Sequence, residues 1–182
     1  LQEVQVCLTV GCPNPYDAMV MQREEDGIRH EVIVFDMARF LGYGERALGL
    51  VSRLTTHETA HILMHKRWPV LAEDVPYRRQ LQHLCFDEGF AHLLACGEAI
   101  ASFDFGGWVD QHWEPSLQKL REALACTDPE KQQECLIRAN AGPYWEKFAC
   151  ITGKLYLAQH RDQLFSIYSE GPDRFLPELF LP

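Results

Sequence analysis

Five consecutive residues, His57-Glu58-Thr59-Ala60-His61, place two histidines four positions apart with a glutamate directly after the first. On a helix, residues four apart differ by about 40° and 6 Å, so both imidazoles can reach one metal ion from consecutive turns. Glu58 lies about 100° round the helix from His57, where its carboxylate can reach a nearby water without binding the metal. We therefore predict that His57 and His61 are metal ligands and that Glu58 is a general base.

A catalytic zinc usually takes three protein ligands and keeps one position open, so a third ligand is needed. His65 continues the same helical face. However, three histidines at four-residue steps span about 12 Å and cannot converge on one ion with bonds near about 2 Å. The position six residues after His61 is Arg67, so an extended histidine motif is absent. We predict that His65 is a surface residue or supports a ligand.

Glu88 is the better candidate for the third ligand. It lies in an Asp-Glu-Gly-Phe-Ala segment on an apolar helical stripe with Leu81, Leu84, Ala91 and Ala95. A carboxylate that faces a core is costly unless it is paired or binds a metal. Two interpretations stay open on the residues alone: a metal ligand, or a glutamate at the edge of the stripe that reaches water.

The elements that position these residues follow from periodicity. Residues 3–9, 18–22 and 28–35 are β-rich, and residues 24–27 between the last two predict a hairpin turn. Helical periods predict helices over residues 44–68, ended by Pro69, and over residues 74–97, with Pro76 near the start. In the second helix, Gly89 predicts close approach of a neighbouring element.

The remainder of the chain also reads as mainly helical. Gly106 and Gly107 predict a loop, and the predicted segments after it are helices over 115–126, 129–139 (capped by Asp128) and 143–160 and a short final segment over 172–181. No linker divides the chain. The sequence thus predicts one α+β domain over residues 1–182, with mainly strands in 1–40 and mainly helices in 44–182.

The two motifs together resemble the gluzincin group of zinc metallopeptidases, whose third ligand is a glutamate on a following helix. The Asp-Glu-Gly-Phe-Ala segment is especially similar to the Asn-Glu-Gly-Phe-Ala of zinc aminopeptidases, and residues 142–153 resemble, more loosely, a helix of small uncharacterised zinc proteases. The resemblance implies a zincin-like fold, with a small N-terminal sheet packed on the active-site helix. It also implies a zinc ion (Zn²⁺) held by His57, His61 and Glu88, and a peptide or protein substrate hydrolysed with Glu58 as base.

Two further roles are expected around this site, the first of them from the same resemblance. Tyr144, after a Gly-Pro pair at a helix start, is the candidate donor to the oxyanion of the tetrahedral intermediate, and Tyr156, His112 and His160 remain alternatives. His92 or Asp87 is expected to orient a zinc ligand. Because Asp87 is turned about 100° from Glu88, His92 is favoured. The chain lacks the Gly-x-Met-Glu-Asn motif of the aminopeptidases, which argues against their specificity.

Composition bounds the partners and the compartment. The formal net charge of −9 argues against nucleic acid or an anionic membrane as the main partner, and no stretch reaches the roughly 18 apolar residues of an integral membrane segment. The seven cysteines form no CxxC pair, which favours a reducing cytoplasmic compartment, although a Cys7–Cys12 bridge stays open. The chain begins at Leu1, so an exported form with a removed leader also stays open. The oligomeric state is not assigned.

Two alternatives to a peptidase remain at this stage. The first is a zinc-binding or interaction module that keeps a zincin scaffold without catalysis, which the missing specificity motif favours. The second is a helical protein in which the His57–His61 motif is coincidental and binds no metal. Zinc itself is inferred from ligand type, since two imidazoles and a carboxylate also accept cobalt or manganese.

Overall fold

The computed structural model describes residues 3–13, 16–72, 74–101 and 105–180. The chain belongs to the α+β class, as predicted: a small three-stranded sheet is followed by helices. It divides into two compact units, Leu1–Arg67 and Trp68–Pro182. The single domain predicted for residues 1–182 stays a prediction. In the described part of the chain, no helix has the length and apolar character required to cross a membrane.

The first unit contains the sheet. Its strands are β1 (Gln5–Thr9), β2 (Ala18–Glu25) and β3 (Ile28–Asp36). The strand order is β1-β3-β2, with β3 parallel to β1 and antiparallel to β2. Glu25 pairs with Ile28, so Asp26 and Gly27 form a two-residue turn in the left-handed region, with φ of 53° and 74°. This geometry matches the right-handed twist of the strands and confirms the predicted hairpin.

A short helix after the sheet, α1 (Met37–Leu41), was not predicted. Asp36 caps it: Oδ1 accepts from the Ala38 N–H at 3.0 Å. Oδ2 of the same carboxylate accepts from the backbone N–H groups of Gly11 (3.1 Å) and Cys12 (2.8 Å). Although desolvation opposes ionisation, these backbone hydrogen bonds prevail and lower the pKa of Asp36. The residue therefore serves the fold rather than a site.

The long helix of the first unit, α2 (Ala47–Arg67), carries the His57–His61 motif. It begins after a 3₁₀ turn over Gly44–Arg46 and ends before Pro69, close to the predicted limits of 44 and 68. Its apolar residues pack on one face of β2 and β3. The core of this unit consists of Ala18, Ile33, Phe35, Phe40 and Ile62, with Leu50, Val51 and Leu54 packed against it. The predicted sheet-on-helix packing is therefore present within this unit.

The second unit is helical. Its helices are α3 (Tyr77–Leu94), α4 (Gly106–Leu124), α5 (Pro129–Asn140), α6 (Phe148–Gln159), α7 (Leu164–Glu170) and α8 (Pro177–Phe180). The central element is α6, which is buried along nearly its whole length and packs on α3, α4 and α5. Gly89 on α3 and Gly153 on α6 meet where the helices touch. A Cβ on Gly153 would lie 1.9 Å from the backbone oxygen of Cys85, so the predicted close approach at Gly89 is confirmed.

Several predicted boundaries in this unit are wrong. The loop expected at Gly106 and Gly107 is the first turn of α4, where N–H groups need no acceptor within the helix, and α4 then runs through Pro115. The helix expected over 143–160 is interrupted at Lys147 (φ −70°, ψ 71°) and consists of a 3₁₀ turn, Tyr144–Glu146, followed by α6. The helix α7 was not predicted. Residue 181 of the predicted final segment lies outside the described residues.

The cysteines form no disulfide bond in the structure. All seven cysteines are free thiols, so the Cys7–Cys12 bridge left open by the sequence is not formed. Cys85 and Cys150 are fully buried, and desolvation raises the pKa of both thiols. Cys85 acts as a small apolar side chain within the second unit.

Candidate metal centre

The two histidines of the motif face each other across one turn of α2. Their Nε2 atoms are 3.1 Å apart, and their rings are nearly perpendicular, at 80°. Two imidazole nitrogens on one tetrahedral zinc, with bonds of about 2.0–2.1 Å, lie about 3.3 Å apart. Without an ion, the same spacing suits an N–H of one ring that donates to the other. The helix thus already holds both nitrogens near ligand spacing.

The glutamate of the motif is buried. Glu58 is only 5% exposed, although it lies on a helix whose neighbouring positions Ser52, Arg53 and Thr56 are exposed. An ionised carboxylate removed from water needs a compensating partner, so its burial next to His57 is unusual for a helix of this kind. This environment differs from that of a solvated surface glutamate.

His65, one turn after His61, is held by the sheet of the same unit. Its Nδ1 lies 2.6 Å from Oε1 of Glu31 on β3, and both side chains are less than one-fifth exposed. Its ring stacks on that of His61, with centroids 5.9 Å apart and planes at 27°. His65 therefore supports the orientation of His61, one of the two roles expected for it. Sequence reasoning missed Glu31, whose signal was a carboxylate within a strand that packs on the motif helix.

The second unit carries Glu88 on α3, with its side chain 12% exposed. Its Oε1 accepts a hydrogen bond from Nδ2 of Asn140 at 2.6 Å. Its Oε2 lies 3.6 Å from Nε2 of His92, one turn further along α3. The structure therefore brings His92 to Glu88, as the sequence favoured. Glu88 is a largely buried carboxylate whose orientation is fixed by a residue 52 positions away.

Asn140 was not predicted, and its own orientation is fixed in turn. It ends α5, and its Oδ1 accepts from the thiol of Cys150 on α6 at 3.1 Å. Because burial, followed by the charge of Glu88, raises the pKa of Cys150, the thiol keeps its proton and remains a donor. The thiol also lies 3.3 Å from the backbone oxygen of Ala139. Because an ionised carboxylate only accepts hydrogen bonds, the amide nitrogen of Asn140 faces Glu88. No local sequence signal marks Asn140, since its role depends on how α5 packs on α3.

Tyr144 lies beside this cluster. Its ring packs edge-on against the ring of His92, with centroids 5.5 Å apart, and its hydroxyl oxygen accepts a hydrogen bond from Nζ of Lys154 at 2.8 Å. Burial is the main cause that raises the pKa of Tyr144, so the phenol is protonated at neutral pH. The second unit thus brings Glu88, His92 and Tyr144 together.

The other candidates for the oxyanion donor lie in different surroundings. The ring of His112 stacks on Trp145, with centroids 3.7 Å apart and planes at 7°. Tyr156 packs against His160 (4.3 Å) and Phe175 (5.1 Å). Among the four residues considered, Tyr144 is therefore the one whose ring contacts His92.

Comparison with protein-family models, with curated proteins and with solved structures gives no match for this chain. The candidate centre therefore rests on its own residues. Among the described residues, each unit contains a cluster of metal-ligand type. The first contains His57, Glu58 and His61 on α2; the second contains Glu88 and His92 on α3, with Asn140 holding Glu88.

Proposed function

We propose that this chain is a zinc-dependent metallopeptidase that hydrolyses peptide bonds in a peptide or protein substrate. His57, His61 and Glu88 would bind one Zn²⁺, and Glu58 would be the general base. The main support is the 3.1 Å separation of the two Nε2 atoms on α2. A zincin-like fold is part of the same proposal, supported by the packing of α2 on the sheet of the first unit.

The residues suit zinc in type as well as in spacing. Two imidazoles and a carboxylate are a common ligand set of catalytic zinc and leave one position open. When bound, zinc would polarise the scissile carbonyl and lower the pKa of its water towards about 7. Glu58 would take a proton from the attacking water and deliver it to the leaving amine.

The surrounding residues then have defined tasks. Asn140 keeps the plane of the Glu88 carboxylate fixed through its hydrogen bond to Oε1. The Glu31–His65 pair supports the ring of His61. Tyr144, protonated at neutral pH, would donate a hydrogen bond from its hydroxyl to the oxyanion that develops on the substrate carbonyl.

The experiment compares the wild type with Glu58→Gln. The variant keeps the size of the side chain but cannot accept the proton. We expect about one zinc per chain in both proteins and loss of hydrolysis by roughly 10³-fold in the variant, measured with a fluorogenic peptide library. Glu134→Gln, at an exposed position of α5, is the matched control and should retain full activity.

The outcomes separate the alternatives. Equal turnover by Glu58→Gln and wild type contradicts the role of Glu58. A wild type that binds one zinc and cleaves no peptide supports the non-catalytic zinc-binding module instead. Cleavage by the wild type that chelation abolishes and zinc restores supports the peptidase.

A further inference from the structure

One buried cation of the second unit has no part in the proposed function so far. Lys154 lies in the middle of α6 and is 3% exposed. Among the described residues, no carboxylate forms an ion pair with its ammonium. A buried charge without a counter-ion costs stability, so such a residue is rare unless it has a specific task. The position therefore calls for an explanation.

The partners of Lys154 indicate the task. Its Nζ donates to the hydroxyl oxygen of Tyr144 at 2.8 Å, and it lies 4.6 Å from the centroid of the Trp108 ring. The thiol of Cys96 is a further hydrogen-bond partner. The electron-rich ring face of Trp108 stabilises the cation without competing for the phenol oxygen. A carboxylate in its place would draw the ammonium away from Tyr144.

This arrangement directs the proton of the phenol. A phenol oxygen carries one hydrogen and accepts through its lone pairs. Because an N–H of Lys154 points at the oxygen, the O–H bond of Tyr144 must turn away from Lys154. The hydroxyl is therefore set as a donor towards its other side.

We propose that Lys154 is a positioning residue that holds the Tyr144 hydroxyl ready to donate to an anionic oxygen of the substrate. The inference rests on the proposed function, in which that oxygen is the oxyanion of peptide hydrolysis. Lys154 touches no substrate and acts through Tyr144. The sequence alone does not indicate this role, because it depends on the contact between α6 and the turn that carries Tyr144.

A positioning role and a structural role predict opposite changes in stability. Met has a similar length and fills the same space without a charge. Replacement of a buried charge that has no ion-pair partner with an apolar residue is expected to stabilise the fold. We therefore expect Lys154→Met to raise the Tm by about 2–4 °C and at the same time to lower kcat. A lysine that served only the fold would lower both.

The experiment uses the zinc-loaded full chain as wild type, Lys154→Met, Tyr144→Phe and the double variant. We expect kcat to fall roughly tenfold in Lys154→Met, with KM nearly unchanged, and roughly 10²-fold in Tyr144→Phe. The double variant should be no slower than Tyr144→Phe, because Lys154 acts through the missing hydroxyl. Lys131→Met, at an exposed position, is the control and should match the wild type.

A second readout does not depend on activity. In protein labelled with ¹³Cζ-tyrosine, the resonance absent from Tyr144→Phe belongs to Tyr144. It should move in Lys154→Met and stay unchanged in Lys131→Met. An unmoved resonance, an unchanged kcat or additive losses in the double variant would overturn the inference. If the wild type binds zinc but cleaves nothing, the proposed function fails, and the resonance alone then decides whether Lys154 orients Tyr144.

Discussion

The histidines on α2 and the glutamate on α3 are positioned by different means, although we propose that they serve one ion. The spacing of His57 and His61 is fixed by a single helical turn, which needs no other part of the chain. Glu88 is oriented by Asn140 on α5, which is itself oriented by Cys150 on α6. The spacing of the two proposed histidine ligands is thus a local property of one helix, whereas the orientation of Glu88 depends on the packing of three.

This difference predicts which of the proposed ligands is more sensitive to substitutions elsewhere in the chain. Substitutions away from the ligands should disturb Glu88 more readily than the histidine pair. The orientation of Glu88 also depends on the contact between α3 and α6. This contact leaves no room for a larger residue, because the two backbones touch at Gly89 and Gly153. The four predictions below test this contrast, from the largest expected effect to the smallest.

The largest effect is expected from Gly153→Ala. Its new Cβ would lie 1.9 Å from the backbone oxygen of Cys85, so α3 and α6 would have to separate. We expect the free energy of unfolding to fall by about 3 kcal/mol, measured by thermal and urea unfolding. Gly49→Ala on α2 is the matched control: its Cβ meets open space, so helix propensity should stabilise it by up to about 1 kcal/mol. Equal stability of the two variants would contradict the contrast.

The next effect concerns the support of Glu88. Asn140→Ala removes the donor to Oε1 and should weaken zinc binding about 10- to 100-fold, measured by competition with a chromophoric chelator. Asn140→Asp should weaken it further, because a second carboxylate repels Glu88. Gln118→Ala, at an exposed position of α4, should bind zinc like the wild type. Unchanged affinity in both Asn140 variants would show that Glu88 needs no orientation.

A smaller effect is expected from the support of the histidine pair. Glu31→Ala removes the partner of His65, whose ring stacks on His61. The helix already fixes the spacing of His57 and His61. We therefore expect zinc affinity to fall only about threefold, which is less than the usual loss when a residue that supports a metal ligand is removed. The same chelator competition measures it. A loss as large as that of Asn140→Ala would mean that both halves of the centre depend equally on tertiary support.

The smallest effect is expected at an exposed ion pair between Arg79 on α3 and Asp173. Asp173 accepts two hydrogen bonds from Arg79, both at 2.9 Å, and this pairing, together with His83, lowers the pKa of Asp173. A carboxyl whose pKa is lower in the folded chain contributes stability above its unfolded pKa of about 3.9, and this is lost as the pH falls through the folded pKa. Because the side chain is 59% exposed, solvent screens the pair to about 0.5 kcal/mol.

Urea unfolding of wild type and Asp173→Asn measures this contribution. The variant should be less stable by that amount near pH 7, and the difference should shrink as the pH falls below the unfolded pKa and through the lowered folded pKa of Asp173. A difference that grows as the pH falls would contradict the assignment. We expect the exposed Arg79–Asp173 pair to stabilise the fold much less than the buried contact between Gly89 and Gly153 does.

The sequence was sufficient where a feature is local. The spacing of His57, Glu58 and His61 on a helix, the Asp26-Gly27 hairpin and the small residue at Gly89 each follow from a few neighbouring residues, and the structure confirms the helix, the hairpin and the close approach. The α+β class was also predicted correctly. The zinc and the activity remain proposals.

The sequence was insufficient where a feature depends on packing between distant elements. Asn140 and Lys154 acquire their roles only when α5 and α6 meet α3 and the turn at Tyr144, and no periodicity encodes those contacts. The break at Lys147 was missed because the pattern of apolar residues continues across it. Gly106 and Gly107 were misread because glycines tolerated in the first turn of a helix have the same sequence signature as a loop.

The most direct measurement is the zinc content per chain of the wild type, His57→Ala and Glu88→Ala by elemental analysis after reconstitution. Our account predicts about one zinc in the wild type and marked loss in both variants, because one ion takes ligands from α2 and from α3. Glu134→Ala, at an exposed position, should keep its zinc. Full zinc in Glu88→Ala, or no zinc in the wild type, would contradict the account.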